Sequence, residues 1–339
     1  MAEKLNITVL GGGSWGIAFA VHLLKCGHNL RLWEFNPDDA RMLKTRREHP
    51  DKLPGIGIPE GIYITDNLFN TIDGSNILCL VVPSHTVREV CGKLKKAVKH
   101  APIIVNLAKG LEFPSLKRMS EVVFEIMGMD FENRVMTLSG PSHAEEVARE
   151  IPTTVTLAGD EIENLEFVQE AFNSTDFRVY TNLDLLGVEL AGSLKNIIAI
   201  AAGICDGLGF GDNTKGALLT RGLTEITRLG MAMGAQQETF AGLSGIGDLI
   251  TTCLSRHSRN RLVGEKMGKG MKLDEILRDM KMVAEGVRTT RAAVELADKY
   301  HVDMPITMEM YNILFEDKSP LEAVSSLMSR QPKPEVRHG

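Results

Sequence analysis

Two ionisable side chains, Glu189 and Lys195, interrupt an otherwise apolar stretch over residues 185–205. The stretch is rich in Ala and Gly and is apolar on nearly every face of a helix, which predicts a buried helix. A buried lysine is costly unless it is paired or functional, and burial lowers its pKa toward neutrality. Lys195 is therefore a candidate proton donor or acceptor. The alternative is a lysine whose stem reaches the surface, which is the commoner arrangement.

Three further charged residues lie in predicted turns where a substrate could be bound. Lys109 follows a predicted buried strand, so it would either place positive charge beside a substrate or end the strand at the surface. Asp248, in the turn Gly245-Ile246-Gly247-Asp248, would either cap a helix, which is the commoner role, or pair with a lysine. Glu285 lies in a predicted short loop and would either accept a hydrogen bond from a hydroxyl or amide or remain an exposed acid.

Arg256, Arg259 and Arg261 form a local basic cluster in a chain whose net charge is −6. A helical pattern follows the cluster, and Ser258 is placed to cap its N-terminus. Free backbone N–H groups at a helix N-terminus, together with an arginine, bind phosphate. The cluster therefore predicts either a phosphate site or a solvated basic helix start.

The beginning of the chain contains the pattern of a dinucleotide-binding turn. Gly11, Gly13 and Gly16 match G-x-G-x-x-G after a β-branched apolar run. The first glycine makes the tight turn, the second lets the backbone approach a pyrophosphate, and the third lets the helix pack on the strand. A second predicted strand ends at Glu34, roughly twenty residues further on, where a ribose-binding carboxylate is expected. A glycine turn in another α/β fold is the alternative.

Strand and helix signals alternate over the first half of the chain. The apolar run over residues 76–82 is typical of a parallel strand buried on both faces, and it ends at Pro83-Ser84-His85. His85 would either contact a ligand there or, more commonly, begin a helix. In the second half the strand signals vanish. We therefore predict an α/β protein with an N-terminal Rossmann-type, doubly wound, mostly parallel sheet in residues 1–185 and an all-α substrate and catalytic domain in residues 186–339.

Composition limits the classes of function. The net charge of −6 argues against a general binder of nucleic acid or of membrane surfaces. The five cysteines form no C-x-x-C pair, so we expect reduced, mostly buried thiols, a cytoplasmic protein and no metal site. We find no signal-peptide pattern and expect no stretch long enough to cross a membrane. The 339 residues suffice for two domains with substantial cores.

Together these residues predict a reaction. A nicotinamide dinucleotide would exchange hydride with a carbonyl or secondary alcohol, a lysine would move the proton, and an arginine pocket would hold an anionic tail, most simply a phosphate.

Ten short motifs, in one order along the chain, resemble a known family. They are Gly11–Gly16, Val82–His85, Lys109–Glu112, Ser139–Ser142, Leu194–Ile200, Asp206–Gly211, Gly245–Leu249, Ser258–Arg261, Glu285–Gly286 and Met304–Ile306. The chain is similar over nearly its whole length to the bacterial NAD(P)-dependent glycerol-3-phosphate dehydrogenases. The resemblance implies reversible reduction of dihydroxyacetone phosphate to sn-glycerol 3-phosphate, the precursor of phospholipid backbones. It also implies a homodimer that acts on a small phosphorylated molecule, without nucleic acid and without membrane insertion.

The resemblance assigns roles residue by residue. Lys195 is expected to transfer the proton. The residues expected to contact or line the substrate site are Lys109, Gly140, Ser142, Asp248, Ser258, Arg259 and Asn260. Besides the three glycines of the turn, those expected to border the dinucleotide are Ser14, Trp15, Phe35, Lys109, Ala144, Arg259, Val283 and Glu285.

The choice between NADH and NADPH stays open. The family slightly favours NADP(H), because the position occupied by Phe35 often carries His or Arg there. Glu34 favours the bare ribose of NAD, yet Arg41, Arg46 and Arg47 follow closely and could hold a 2′-phosphate.

Two other classes of protein are also considered. One is a different two-domain dehydrogenase, of the hydroxyacid or 6-phosphogluconate type, which would not act on dihydroxyacetone phosphate. The other is a nucleotide-sensing module, which would bind without turnover and would have no need of Lys195, Asp248 and the basic cluster together.

Overall fold

An eight-stranded sheet organises the first half of the chain. The computed structural model describes residues 4–280, 283–332 and 334–335. The strands are β1 (Asn6–Leu10), β2 (Asn29–Trp33), β3 (Ile62–Thr65), β4 (Ile77–Leu80), β5 (Ile103–Asn106), β6 (Val135–Ser139), β7 (Thr153–Ala158) and β8 (Phe177–Asn182). Their order is β3-β2-β1-β4-β5-β6-β7-β8, and every pair is parallel except β6 with β7.

Helices cover the sheet because its central strands are apolar on both faces. Every residue of β4 and β5 is buried. The helices of this half are α1 (Ser14–Lys25), α2 (Pro37–Arg46), α3 (Leu68–Ile72), α4 (Val87–Ala97), α5 (Met119–Met127), α6 (Ala144–Val147) and α7 (Ile162–Phe172). The strand order reverses between β1 and β4, so the carboxyl ends of these two strands open a crevice in which α/β sheets bind ligands.

After β8 the described chain is helical, as predicted. The helices are α8 (Leu185–Gly207), α9 (Asp212–Ala232), α10 (Gln237–Ala241), α11 (Asp248–Leu254), α12 (Arg259–Gly268), α13 (Leu273–Asp279), α14 (Glu285–Lys299), α15 (Pro305–Phe315) and α16 (Pro320–Met328), with a π-helical turn at Leu243–Gly247. The predicted fold class is confirmed. The other helices of this domain pack around α8, and α12 makes the most extensive contact with it.

Glycines explain how closely α8 and α12 approach. A Cβ on Gly203 of α8 would lie 1.9 Å from the carbonyl oxygen of Arg261, and a Cβ on Gly264 of α12 would lie 1.9 Å from that of Ile200. Any larger residue at these positions would push the two helices apart. The close contact fixes the beginning of α12 against the middle of α8, where Lys195 lies.

The expectation that no stretch is long enough to cross a membrane is wrong for α8. Its 23 residues, with a mean hydropathy of 1.5, meet that test by length and composition, and no other described helix does. However, 94% of its apolar window is buried inside the protein. The other helices cover it, as they cover the core helix of a soluble domain.

Glu189 connects the helical domain to the sheet domain. Its buried carboxylate accepts hydrogen bonds from the backbone N–H of Ser120 at 2.9 Å, from Arg118 at 2.8 Å and from the hydroxyl of Thr137 at 3.1 Å. These partners lie at the N-terminus of α5 and on β6. Glu189, the first ionisable residue of the apolar helix, is therefore a fully hydrogen-bonded carboxylate at the contact between the two domains.

A second buried carboxylate, Glu225 on α9, predicts a pH dependence of stability. It accepts hydrogen bonds from the backbone N–H groups of Ile306 and Thr307 at the start of α15, at 2.8 and 3.2 Å. Burial nevertheless raises its pKa to about 7, so the folded protein holds a proton that the unfolded chain releases near pH 4.5. The contribution of Glu225 is therefore fully present below pH 4.5 and is lost as the pH rises to about 7.

Glu225→Gln removes this titration. The free energy of unfolding of Glu225→Gln minus that of the wild type should become more positive by about 3 kcal/mol from pH 4.5 to pH 8, as measured by denaturant unfolding. Comparing the two proteins cancels the other titrating groups. A constant difference across that range would show that Glu225 does not titrate there.

Candidate active site

Three charged side chains from three distant segments meet in the interior. The carboxylate of Asp248 accepts a hydrogen bond from Lys195 Nζ on one oxygen and from Lys109 Nζ on the other, each at 2.7 Å. Lys195 also donates to the hydroxyl of Thr252 at 2.5 Å, and Lys109 donates to the carbonyl of Gly140 at 3.0 Å. Lys195 and Asp248 are buried, and the side chain of Lys109 is 21% exposed. We call Lys109, Lys195 and Asp248 the lysine–aspartate cluster.

Asp248 pairs with the lysines and does not cap a helix. It is the first residue of α11, and the N-cap position belongs to Gly247. The commoner alternative considered from the sequence, a helix cap, is therefore wrong. Thr252, one turn further along α11, brings its hydroxyl to the same lysine. The i, i+4 spacing of Asp248 and Thr252 was available in the sequence, but nothing there indicated which face of α11 would meet α8.

The cluster changes the protonation of its members. Burial lowers the pKa of Lys195 to about 8, although the negative charge of Asp248 opposes that shift. For Asp248, burial alone would raise the pKa, but the positive charges of Lys109 and Lys195 outweigh burial and lower it. Near neutral pH the cluster thus holds a carboxylate and a lysine whose proton is easily exchanged, as a proton-transfer site requires.

The N-terminus of α12 lies beside this cluster. Ser258 caps the helix by accepting a hydrogen bond from the backbone N–H of Arg261, as predicted. Asn260 is fixed by two contacts: its amide donates to Asn196, the neighbour of Lys195, at 2.9 Å, and its oxygen accepts from the backbone of Gly286 at 3.0 Å. Asn260 therefore holds α12 and α14 against α8 next to the lysine.

Arg259 is exposed at the start of α12, with its guanidinium donating to the carbonyl of Val283 at 3.1 Å. The carboxylates of Glu285 and Glu145 interact electrostatically with this guanidinium. Two residues predicted to border the dinucleotide, Val283 and Glu285, thus lie beside the predicted phosphate contact Arg259.

The end of β6 supplies the loop below the cluster. Gly140 has φ +139°, and a Cβ there would lie 3.0 Å from the Cα of Val155, so glycine is needed at this position. Its carbonyl accepts hydrogen bonds from Lys109 and from the hydroxyl of Ser142, both at 3.0 Å. His143 directly follows Ser142, and its ring interacts electrostatically with the charges of Lys195 and Asp248. His143 is not among the residues predicted for the site, because a histidine after Gly-Pro-Ser has no signature of its own.

The glycine turn forms an open cradle at the carboxyl end of β1. Gly11 has φ +124°, and a Cβ there would lie 2.8 Å from the carbonyl oxygen of Val81. A Cβ on Gly16 would lie 1.8 Å from the carbonyl oxygen of Gly11, whereas a Cβ on Gly13 would meet no atom within 4 Å. Gly13 is also the N-cap of α1, and the N-terminus of this helix has no side-chain cap. The cradle fits the pyrophosphate of a dinucleotide.

The other predicted cofactor residues lie around this cradle at different depths. Ser14 begins α1 and hydrogen-bonds the carbonyl of Lys52, and Trp15 packs against Phe19 with 5.4 Å between ring centroids. Phe35 is 63% exposed at the outer end of β2. Ala144 is buried at the start of α6.

The sequence pattern predicted a loop at Glu285. This prediction is wrong, because Glu285 is the first residue of α14. Its carboxylate accepts hydrogen bonds from the backbone N–H and the hydroxyl of Ser84, at 2.9 and 2.6 Å. Ser84 begins the helical turn that follows β4, so this contact joins the two domains across the cleft. His85 is exposed in the turn that begins α4, in agreement with its commoner interpretation as a helix-start residue.

Glu34 is the carboxylate at the end of β2. It is buried and accepts hydrogen bonds from the backbone N–H groups of Gly12 and Asn36, each at 3.0 Å. Of the arginines that follow, Arg47 donates to the carbonyl of Ile62 and pairs with Glu60 at 3.0 Å. Arg41 is exposed beside Asp38.

All five cysteines are free, four of them buried, and burial raises the pKa of Cys91 and Cys253 to about 12. Within the described part of the chain, no group of three or more His, Cys, Asp and Glu side chains is arranged to hold a metal ion.

Comparison with known proteins decides the family. Residues 6–165 match the family described as the NAD-dependent glycerol-3-phosphate dehydrogenase N-terminus, and residues 184–325 match the corresponding C-terminus. The chain belongs to this family. The predicted resemblance, the oxidoreductase class and the nicotinamide dinucleotide cofactor are thereby confirmed.

Relatives match over the full length. The chain is 52% identical to a glycerol-3-phosphate dehydrogenase [NAD(P)+] from Thermoanaerobacter sp., over 99% of this chain and 100% of the relative. It is 51% identical to the enzyme of that name from Geobacillus thermodenitrificans, over 98% and 96%. The crystal structure of glycerol-3-phosphate dehydrogenase from Coxiella burnetii matches with a TM-score of 0.92 and 38% identity, over 96% of this chain and 99% of that one.

The geometry of the cradle predicts that alanine substitutions at Gly13 and Gly16 will affect stability and NADH binding differently. Gly13→Ala should fold with nearly wild-type thermal stability, because its methyl group meets no protein atom, but it should weaken NADH binding about tenfold or more by filling the pyrophosphate space. Gly16→Ala should unfold at markedly lower temperature, because its methyl group overlaps the backbone of Gly11. Differential scanning fluorimetry and fluorescence titration with NADH measure both effects. Unchanged NADH affinity in Gly13→Ala would place the pyrophosphate elsewhere.

Proposed function

We propose that the protein catalyses the reversible reduction of dihydroxyacetone phosphate to sn-glycerol 3-phosphate for glycerophospholipid synthesis. The observation that carries the proposal is the lysine–aspartate cluster beside the start of α12. The cluster can exchange a proton, and the helix start, with Arg259, can bind a phosphate. Both lie in the cleft between the dinucleotide cradle and the helical domain.

The nicotinamide dinucleotide, when bound, supplies or accepts the hydride. Lys195 Nζ stabilises the negative charge that develops on the substrate oxygen and then donates its proton to it. Lys109 adds a second positive charge nearby. Asp248 fixes the direction of both ammonium groups and keeps Lys195 protonated more than burial alone would allow.

The other end of the substrate is held by α12. Its phosphate is bound by the guanidinium of Arg259 and by the helix N-terminus capped by Ser258. Asn260 keeps this helix start at a fixed distance from Lys195 through its contact with Asn196. Gly140 and Ser142 line the floor of the site.

Lys195→Met tests the proton transfer. We expect turnover to fall by about 10²–10⁴-fold, the usual contribution of a positioned acid or base, with NADH affinity nearly unchanged. Lys96→Met, an exposed lysine on α4, is the matched control and should leave turnover unchanged. Near-normal turnover in Lys195→Met would rule out the role of Lys195.

The pH profile of the wild type tests the same role independently. Reduction uses the ammonium form, so kcat/KM for dihydroxyacetone phosphate should fall as the pH rises above about 8, the pKa of Lys195. For oxidation of sn-glycerol 3-phosphate, kcat/KM should fall as the pH decreases below the same value.

We further propose that NADH is preferred over NADPH. The carboxylate of Glu34 is fixed at the end of β2 by Gly12 and Asn36, where it would accept from the ribose hydroxyls and repel a 2′-phosphate. Arg47, one of the three arginines considered for a 2′-phosphate, is already engaged by Glu60 and by the carbonyl of Ile62.

Glu34→Gln keeps an acceptor for Gly12 and removes the charge. The ratio of kcat/KM for NADH to that for NADPH should exceed about tenfold in the wild type and decrease by a similar factor in Glu34→Gln. A wild type that prefers NADPH would contradict this proposal without affecting the proposed reaction.

We also propose that the protein is a cytoplasmic homodimer. The free, buried cysteines suit a reducing compartment, and the helical domain exposes large apolar side chains at Met231, Ile250 and Leu254. Light scattering on the purified chain tests the assembly: a mass of one chain in solution would contradict the dimer.

A further inference from the structure

His143 brings a buried nitrogen to the site with nothing to bind. It is the N-cap residue of α6 and directly follows the loop of Gly140 and Ser142. Its Nε2 is buried, and within the described residues no atom is placed to form a hydrogen bond with it. A buried polar atom without a partner costs on the order of 1–3 kcal/mol, so such an atom in a cleft is expected to meet a ligand.

Neighbouring rings and charges show where this nitrogen lies. The ring centroid of His143 is 6.0 Å from that of His257, which immediately precedes Ser258 and the start of α12. The ring also lies within electrostatic reach of Lys195, Asp248 and Lys109, and Glu145 of α6 contributes a further negative charge. His143 therefore lies close to both the lysine–aspartate cluster and the proposed phosphate position.

The protonation of His143 determines what it can bind. Burial lowers its pKa, and the positive charge of Lys195 lowers it further, so the imidazole is neutral at pH 7. A neutral imidazole offers one N–H donor. Either ring nitrogen of a neutral imidazole can carry this proton, and an acceptor placed at Nε2 selects the tautomer with the proton there. A phosphate oxygen of the proposed substrate is such an acceptor.

We propose that His143 is a substrate-binding residue, whose Nε2–H donates a hydrogen bond to a phosphate oxygen of the substrate between Lys195 and the start of α12. The inference rests on the proposed function. The imidazole of His143 adds a neutral donor to the positive charge of Arg259. It also distinguishes a phosphorylated substrate from one that lacks the phosphate, because only the phosphorylated substrate gives the buried nitrogen a partner.

Two substitutions at this position separate hydrogen bonding from packing. His143→Phe keeps the ring and removes the donor. His143→Gln places an amide N–H close to the position of Nε2. His100→Phe, an exposed histidine of the sheet domain, is the matched control.

We expect His143→Phe to raise the KM for dihydroxyacetone phosphate and the inhibition constant of sn-glycerol 3-phosphate by about tenfold, the usual effect of losing one hydrogen bond to a charged group. Its kcat and its KM for NADH should stay within about twofold of the wild type, since the donor does not touch the reacting carbon. His143→Gln should recover most of the lost affinity, and His100→Phe should behave as the wild type.

Three results would overturn the inference. The first is an unchanged KM for dihydroxyacetone phosphate in His143→Phe. The second is an increase in the KM for NADH, which would assign the nitrogen to the cofactor side, where Ala144 lies. The third is an equal loss in the Phe and Gln variants, which would indicate a packing role. A wild type without activity on dihydroxyacetone phosphate would instead reject the proposed function.

Discussion

One buried carboxylate holds the chemical half of this protein together. Asp248 is the anion between two lysines that come from opposite domains: Lys109 follows β5 of the sheet, and Lys195 lies in the middle of α8. Lys195 would not be tolerated at that depth without it, because an unpaired charge in the interior costs several kcal/mol. The same pairing that makes burial possible also keeps the pKa of Lys195 from falling further, so stability and chemistry both depend on this contact.

The rest of the architecture serves to keep α8 at the right place. Glycines at the crossing of α8 and α12 let the two backbones touch, which fixes the start of α12 relative to Lys195. Glu189 ties α8 to α5 and β6, and Glu285 ties α14 to Ser84 in the helical turn that follows β4. Each of these links is a carboxylate that accepts several hydrogen bonds, so the cleft between the domains is closed by directional contacts as well as by apolar packing.

Much of the fold could be predicted from the sequence because its signals are local. The apolar strands, the glycine turn, the Ser258 cap and the apolar helix at residue 185 all depend on residues close together in the chain, and each lies where the pattern places it. The errors were also local in origin. Asp248 after two glycines has the pattern of a cap, and Glu285 before Gly286 has the pattern of a loop, because neither pattern shows what lies opposite in the folded protein.

By itself, the sequence determined the fold class, the dinucleotide turn, the family resemblance and the candidate residues. The tertiary structure decided which of those residues meet. Asp248 binds Lys109 across 139 positions of sequence, and His143 lies beside His257 across a similar separation. No periodicity reports such pairs, because they depend on how α8, α11 and α12 pack against the carboxyl end of the sheet. Within the sheet domain, the pairing of β1 with β2 decided that Glu34 accepts from the glycine turn, which places a fixed negative charge at the proposed ribose end of the cleft.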